Sequence, residues 1–192
     1  MSVRQPQTSL NVRRTPYPID QAMKPKARYF WPLLLILFVT DCTTKDLVID
    51  RLDAAPSSLS IVDSFVRLTL VHNPGTAFGF DLRPYLGAWA RPMLVLTMLA
   101  VLAVLLRLYW FTAPRARFAA AALGITAGGA IGNLLDRVRY PLGVVDFIDV
   151  GIGAHRFWIF NVADAGITVG AVMLAILLLR ETAPRPASRP TV

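Results

Sequence analysis

Acidic and amide side chains gather at three places in this 192-residue chain, each time with helical spacing. Asp41, Thr44 and Lys45 stand at i, i+3, i+4, Asn133, Asp136 and Arg137 repeat the pattern, and Asn161, Asp164 and Thr168 share one face of a third segment. All three groups sit at the end of an apolar run, where a charge costs about 2.5–3.5 kcal/mol to insert into a bilayer. Asp41 can pair with Lys45, and Asp136 with Arg137, simply to hold helices together. Asp164 has no cation near it in sequence, so it is the strongest candidate for chemistry. Two adjacent carboxylates cannot both ionise readily; one keeps a proton while the other acts as base on water. Such a dyad hydrolyses amides without a covalent intermediate. The residue types leave Asp136, Asp146 and Asp149 open as partners for Asp164, with Asp136 the weaker choice because Arg137 beside it favours the charged form.

Other chemistries fit less well. Cys42 is the single cysteine, which excludes an intramolecular disulfide and a cysteine-based zinc site. His72 and His155 have no metal-ligand spacing, so no metal is expected, and two carboxyls acting on water require no organic cofactor. The net charge of +8 does not form a basic face with interleaved aromatics, so no nucleic-acid partner is expected.

The elements that must position these acids are membrane helices. Hydrophobic residues make up 55% and charged residues 17%, against about 25% charged in soluble domains. Apolar runs at about 30–49, 90–111, 117–135 and 160–179 each approach the ~20 residues that cross ~30 Å of hydrocarbon. The predicted fold class is an α-helical integral membrane protein with four transmembrane helices in a domain over 29–182. Residues 1–28 are expected to be a disordered basic tail, and 183–192 a basic, Pro-rich one. The loops at 50–89 and 138–159 carry short strand patterns (64–71, 143–148 and 156–160) that predict a small extramembrane β element. Twelve of the twenty Lys and Arg lie within residues 1–28, 107–117 and 180–192, accompanied only by Asp20 and Glu181. The positive-inside rule therefore predicts cytoplasmic termini and outward-facing loops, with all three polar clusters at the outer leaflet. Gly124, Gly128 and Gly132 form a small-xxx-small series expected to bring the third span close to a neighbour.

Five blocks carry a specific resemblance: Asp41-Cys42-Thr43-Thr44-Lys45, Asn73-Pro74-Gly75-Thr76-Ala77-Phe78-Gly79, Gly128 through Arg137, Val144-Val145-Asp146-Phe147 and Phe160-Asn161-Val162-Ala163-Asp164. In this order the chain resembles the bacterial lipoprotein signal peptidases (signal peptidase II) over roughly 30–180. Cys42, Thr76 and the stretch 139–142 depart from the usual pattern. The resemblance implies an intramembrane aspartic endopeptidase with an extracytoplasmic β-cradle, cutting prolipoproteins before a diacylglyceryl-modified cysteine. It makes Asp146 and Asp164 the catalytic pair, with Asn133 and Asn161 orienting the pair and the scissile carbonyl. It gives Arg137 and Asp136 a bracing role, Asp41 and Lys45 a structural or substrate-placing one, and Asn73 and Gly75 a place in the cradle that contacts substrate. The implied setting is the bacterial cytoplasmic (inner) membrane, with a monomeric enzyme, lipidated precursors and membrane lipids as partners. The alternative is a small proton- or ion-coupled carrier, which would place its polar groups near the midplane rather than at one leaflet.

Overall fold

The computed structural model describes residues 19–53, 58–75 and 80–182. Four long helices, α1 (Ile19–Leu52), α3 (Ala90–Phe111), α4 (Arg117–Arg139) and α5 (Val162–Thr182), carry a four-stranded sheet at one end. A short helix, α2 (Arg83–Leu86), precedes α3. The strands β1 (Ser58–Val62), β2 (Val66–Asn73), β3 (Val144–Ile152) and β4 (His155–Arg156) lie in that order, each antiparallel to the next.

Among the described residues, three segments are long and apolar enough to cross a membrane: Arg83–Phe111, Arg117–Arg139 and Val162–Arg180. The second half of α1 carries Asp41, Lys45, Asp46, Asp50 and Arg51, so its composition does not reach that mark. The span expected at 90–111 coincides with α3, whereas α4 runs four residues beyond the expected 135 and α1 starts at Ile19. Residues 19–28, expected to belong to a disordered tail, are therefore helical; the remainder of that tail and the expected tail at 183–192 lie outside the described residues.

Helix α4 is the centre, packing against α1, α3 and α5. Between helices in lipid the attraction is close van der Waals contact rather than hydrophobic exclusion, so small side chains decide how near two backbones come. A Cβ on Gly124 would stand 2.5 Å from the Phe30 carbonyl oxygen, and one on Gly128 would stand 2.5 Å from that of Leu34. One turn further, Gly132 faces the Asp41 carboxylate, while on another face Gly129 lies against Ala163 of α5. Helix ends away from the sheet are closed by side chains: Lys26 Nζ donates to the carbonyls of Tyr109, Trp110 and Thr112, satisfying the last turn of α3.

The sheet rests on the end of α1, where Leu68, Leu70, Phe147 and Ile148 pack against Val48 and Leu52. In the β2–β3 register Asn73 faces Val144 and Val71 faces Asp146. Asn73 and Asp146 are thus diagonal neighbours on one face of the sheet. The strand expected over 156–160 is largely absent: only His155 and Arg156 pair with β3, and Phe160 makes a single bridge to Ile148. Residues 157–159 instead leave the sheet to line a cavity. Strand β1 was not foreseen; its partner β2 is the strand expected over 64–71, which runs Val66–Asn73.

Gly128→Leu is expected to destabilise the fold by about 1–3 kcal/mol or more, because an α4 side chain would be forced into the α1 backbone. A thermal melt of the detergent-solubilised protein measures it.

Candidate active site

Asp146 comes from β3 and Asp164 from the first turn of α5, and both line one cavity of about 790 Å³. Its apolar walls include Leu94 and Met98 of α3, Ile167 and Val169 of α5, and Phe157 and Trp158.

The four carboxylate oxygens of the two acids all accept N–H groups from three asparagines. Asp146 Oδ1 accepts from Asn161 Nδ2 at 2.7 Å and its Oδ2 from Asn73 Nδ2 at 3.0 Å. Asp164 Oδ1 accepts from Asn133 Nδ2 at 2.8 Å and its Oδ2 from the backbone N–H of Asn161 at 3.2 Å. Asn161 Oδ1 in turn accepts the Asp164 N–H at 2.9 Å. That reciprocal pair is a capping box, so the same two residues that start α5 also hold Asp164. Asn161 therefore bonds both acids.

Burial, then the negative charge of Asp164, pushes the Asp146 carboxyl up from 3.8 to about 7, against the opposing hydrogen bonds from Asn73 and Asn161. Burial and that charge thus favour the protonated form of Asp146. Asp149, three residues along β3, is differently placed. Burial alone would raise its pKa, but Arg156 and Arg67 outweigh it and hold the carboxyl below the usual range. It belongs to the bracing of the sheet and does not line the cavity.

Behind the pair lies a second polar layer. Lys45 is 1% exposed, and its ammonium meets Asp41 Oδ2 at 2.7 Å, Asp136 Oδ2 at 2.8 Å and Asn133 Oδ1 at 2.9 Å. Asp41 Oδ1 also caps α5 by accepting the Ala163 N–H, and Asp136 Oδ2 accepts the Val145 N–H beside Asp146. The pairing of Asp41 with Lys45 is formed. Asp136 pairs with Lys45 rather than with Arg137, which donates to the Gly75 carbonyl at 2.5 Å. Gly75 N–H bonds Asn73 Oδ1, tying the turn after β2 to the pair. Thr76 to Gly79 of that block lie outside the described residues. Thr44 and Thr168 bond carbonyls of their own helices rather than either acid, and Thr168 also lines the cavity.

The expected site residues Asp41, Lys45, Asn73, Gly75, Asn133, Asp136, Arg137, Asp146, Asn161 and Asp164 are thus joined in one network. Sequence reading missed the contribution of Phe157 and Trp158 to the cavity wall; their position just before Phe160-Asn161 was the available signal. It also missed Arg91, whose guanidinium donates to the Arg137 and Val138 carbonyls and closes the end of α4.

Lys45→Met, leaving Asp41 and Asp136 buried without a cation, is expected to cost about 3–5 kcal/mol. The midpoint of thermal unfolding in detergent reads this loss.

Residues 33–180 match the family described as Signal peptidase (SPase) II. The lipoprotein signal peptidase of Geobacter sulfurreducens is 37% identical over 160 residues, covering 83% of this chain and 96% of that protein. That of Sphingopyxis alaskensis is 35% identical over 178 residues, covering 91% and 99%. A solved bacterial membrane enzyme superposes with a TM-score of 0.68 at 25% identity, over 83% of this chain and 92% of the other. With a family profile spanning most of its length and relatives above 30% identity across nearly their whole sequences, the chain belongs to the signal peptidase II family of membrane peptidases.

Proposed function

We propose that the chain is an aspartic endopeptidase that removes signal peptides from prolipoproteins, cutting before a diacylglyceryl-modified cysteine with water as nucleophile. The observation that carries this reading is the pair Asp146 and Asp164, held by three asparagines in the lining of a largely apolar cavity. Asp164 takes a proton from the attacking water as its oxygen bonds the scissile carbonyl carbon. Asp146 gives its proton to the carbonyl oxygen, neutralising the charge that develops there. Collapse of the tetrahedral intermediate breaks the C–N bond. The proton gathered by Asp164 passes to the leaving amine, and Asp146 recovers the proton from the intermediate's hydroxyl. No step calls on a metal or cofactor.

The cavity walls of α3 and α5 suit an apolar signal-peptide helix and the acyl chains of the lipidated cysteine. In this reading α1 is the fourth span despite its charges, because Asp41 and Lys45 are paired inside the protein rather than facing lipid. The enzyme then sits as a monomer in the bacterial inner membrane with cytoplasmic termini, the sheet and both acids at the outer leaflet.

Asp146→Asn and Asp164→Asn are each expected to lower cleavage of a lipidated precursor by about 10²- to 10⁴-fold or more, while the protein still inserts. A gel-shift assay on the precursor measures this, and wild-type rates in either variant would remove that residue from the mechanism.

The raised Asp146 pKa also fixes a sign. The folded protein favours the protonated carboxyl, so this contribution to stability is complete below the ordinary value of 3.8 and is lost as pH rises through about 7. Relative to Asp146→Asn, the wild-type thermal midpoint should fall across that window and then level off. Cleavage by the wild type should decline on the alkaline side with a midpoint near the same value of about 7.

A further inference from the structure

We propose that Lys45 is a positioning residue for the reaction: its ammonium fixes which way the Asn133 amide faces, and so how Asp164 is held. The inference rests on the peptidase reading above and assigns a task to a residue that does not itself line the cavity.

A carboxamide is nearly symmetric in shape, so its direction is set by what its two ends meet. In Asn73 and Asn161 the carbonyl end accepts a backbone N–H, from Gly75 and Asp164 respectively, which turns the NH2 toward an acid. The Asn133 carbonyl accepts no backbone N–H among the bonds of the described residues. It receives Lys45 Nζ at 2.9 Å and Asn161 Nδ2 at 3.1 Å. Turning the amide over would set its NH2 against two donors, one a full positive charge, and its oxygen against the Asp164 carboxylate. Lys45 is the stronger of the two locks because a charged donor makes the stronger hydrogen bond. Asp41 and Asp136 take the other two ammonium contacts and so aim the third at Asn133. The bland alternative is that Lys45 only neutralises two acids and glues α1 to α4.

The two roles separate in the triple variant Asp41→Asn/Lys45→Met/Asp136→Asn. Both new asparagines keep a carbonyl oxygen for the Ala163 and Val145 N–H groups, and the three charges of the Asp41–Lys45–Asp136 cluster are removed together. With the full-length protein in detergent and a diacylglyceryl-modified precursor peptide, kcat, KM and the thermal midpoint are measured for wild type, Lys45→Met and the triple variant. The thermal midpoint is expected to recover in the triple variant. Turnover is not: kcat should stay about 10- to 100-fold below wild type in both, as a misdirected catalytic group implies, with KM within about twofold. Wild-type kcat in the triple variant, or a raised KM with unchanged kcat, overturns the proposal. Should the triple variant fail to fold, Lys45→Gln keeps an N–H for Asn133 and is expected to turn over faster than Lys45→Met; equal kcat in these two also overturns it. Asp164→Asn runs alongside as a control on the reaction itself. An inactive wild type, or an active Asp164→Asn, defeats the peptidase reading and this inference together, whereas a fully active triple variant beside an inactive Asp164→Asn defeats the inference alone.

Discussion

Three amide groups whose carbonyl ends are already occupied set the geometry on which the rest of the site depends. Asn73, Asn133 and Asn161 each have an acceptor filled elsewhere, so each can only present N–H to Asp146 or Asp164. Donors fixed before substrate arrives need no reorganisation during the reaction, and in surroundings with little water each counts for more than it would in bulk. The two acids nevertheless differ. Asp146 is buried on a strand and feels its partner's charge, whereas Asp164 sits in the capping box that begins α5. Two chemically identical groups thus stand in different environments.

The bonds that hold the two acids also join the helices. The opening N–H groups of α5 need acceptors, and they are met by Asn161 from within the chain and by Asp41 from α1, 122 residues away in sequence. Asp41 also holds Lys45, and Lys45 reaches Asp136 and Asn133 on α4. Three helices must therefore be assembled before Asp164 has its partners. The close approach that permits this comes from the glycines of α4, which let α1 and α5 lie against its backbone, with Gly132 leaving room for the Asp41 carboxylate itself.

Polar and apolar work are divided along the helices. One end of the bundle carries the ion pairs, the amides and the sheet. The opposite end is held by Phe30 stacked on Tyr109 at 3.9 Å and by leucine and alanine packing around them. Charges buried at the polar end are offset mainly within the protein: the Lys45 ammonium contacts three oxygens, from Asp41, Asp136 and Asn133, whereas Arg137 Nε is left without an acceptor among the described residues.

The sequence by itself determined the membrane character, the length of α3, the small-residue face of α4 and the set of residues at the polar end. These follow from local quantities: hydropathy over about 20 residues, 3.6-residue periodicity and the cost of placing charge in an apolar run. Residue types also marked Asp164 as lacking a nearby cation. They left its partner open among Asp136, Asp146 and Asp149, and only the five-block resemblance singled out Asp146. Tertiary structure separated those three acids physically. Asp136 is taken up by Lys45, a residue distant in sequence, Asp149 by two arginines on neighbouring strands, and Asp146 alone reaches the cavity through the β2–β3 register. Tertiary structure also overruled the neighbour pairing of Asp136 with Arg137 and took residues 157–159 out of the sheet. Adjacency in sequence says little about direction on a helix, and pairing across a sheet depends on strands far apart in the chain.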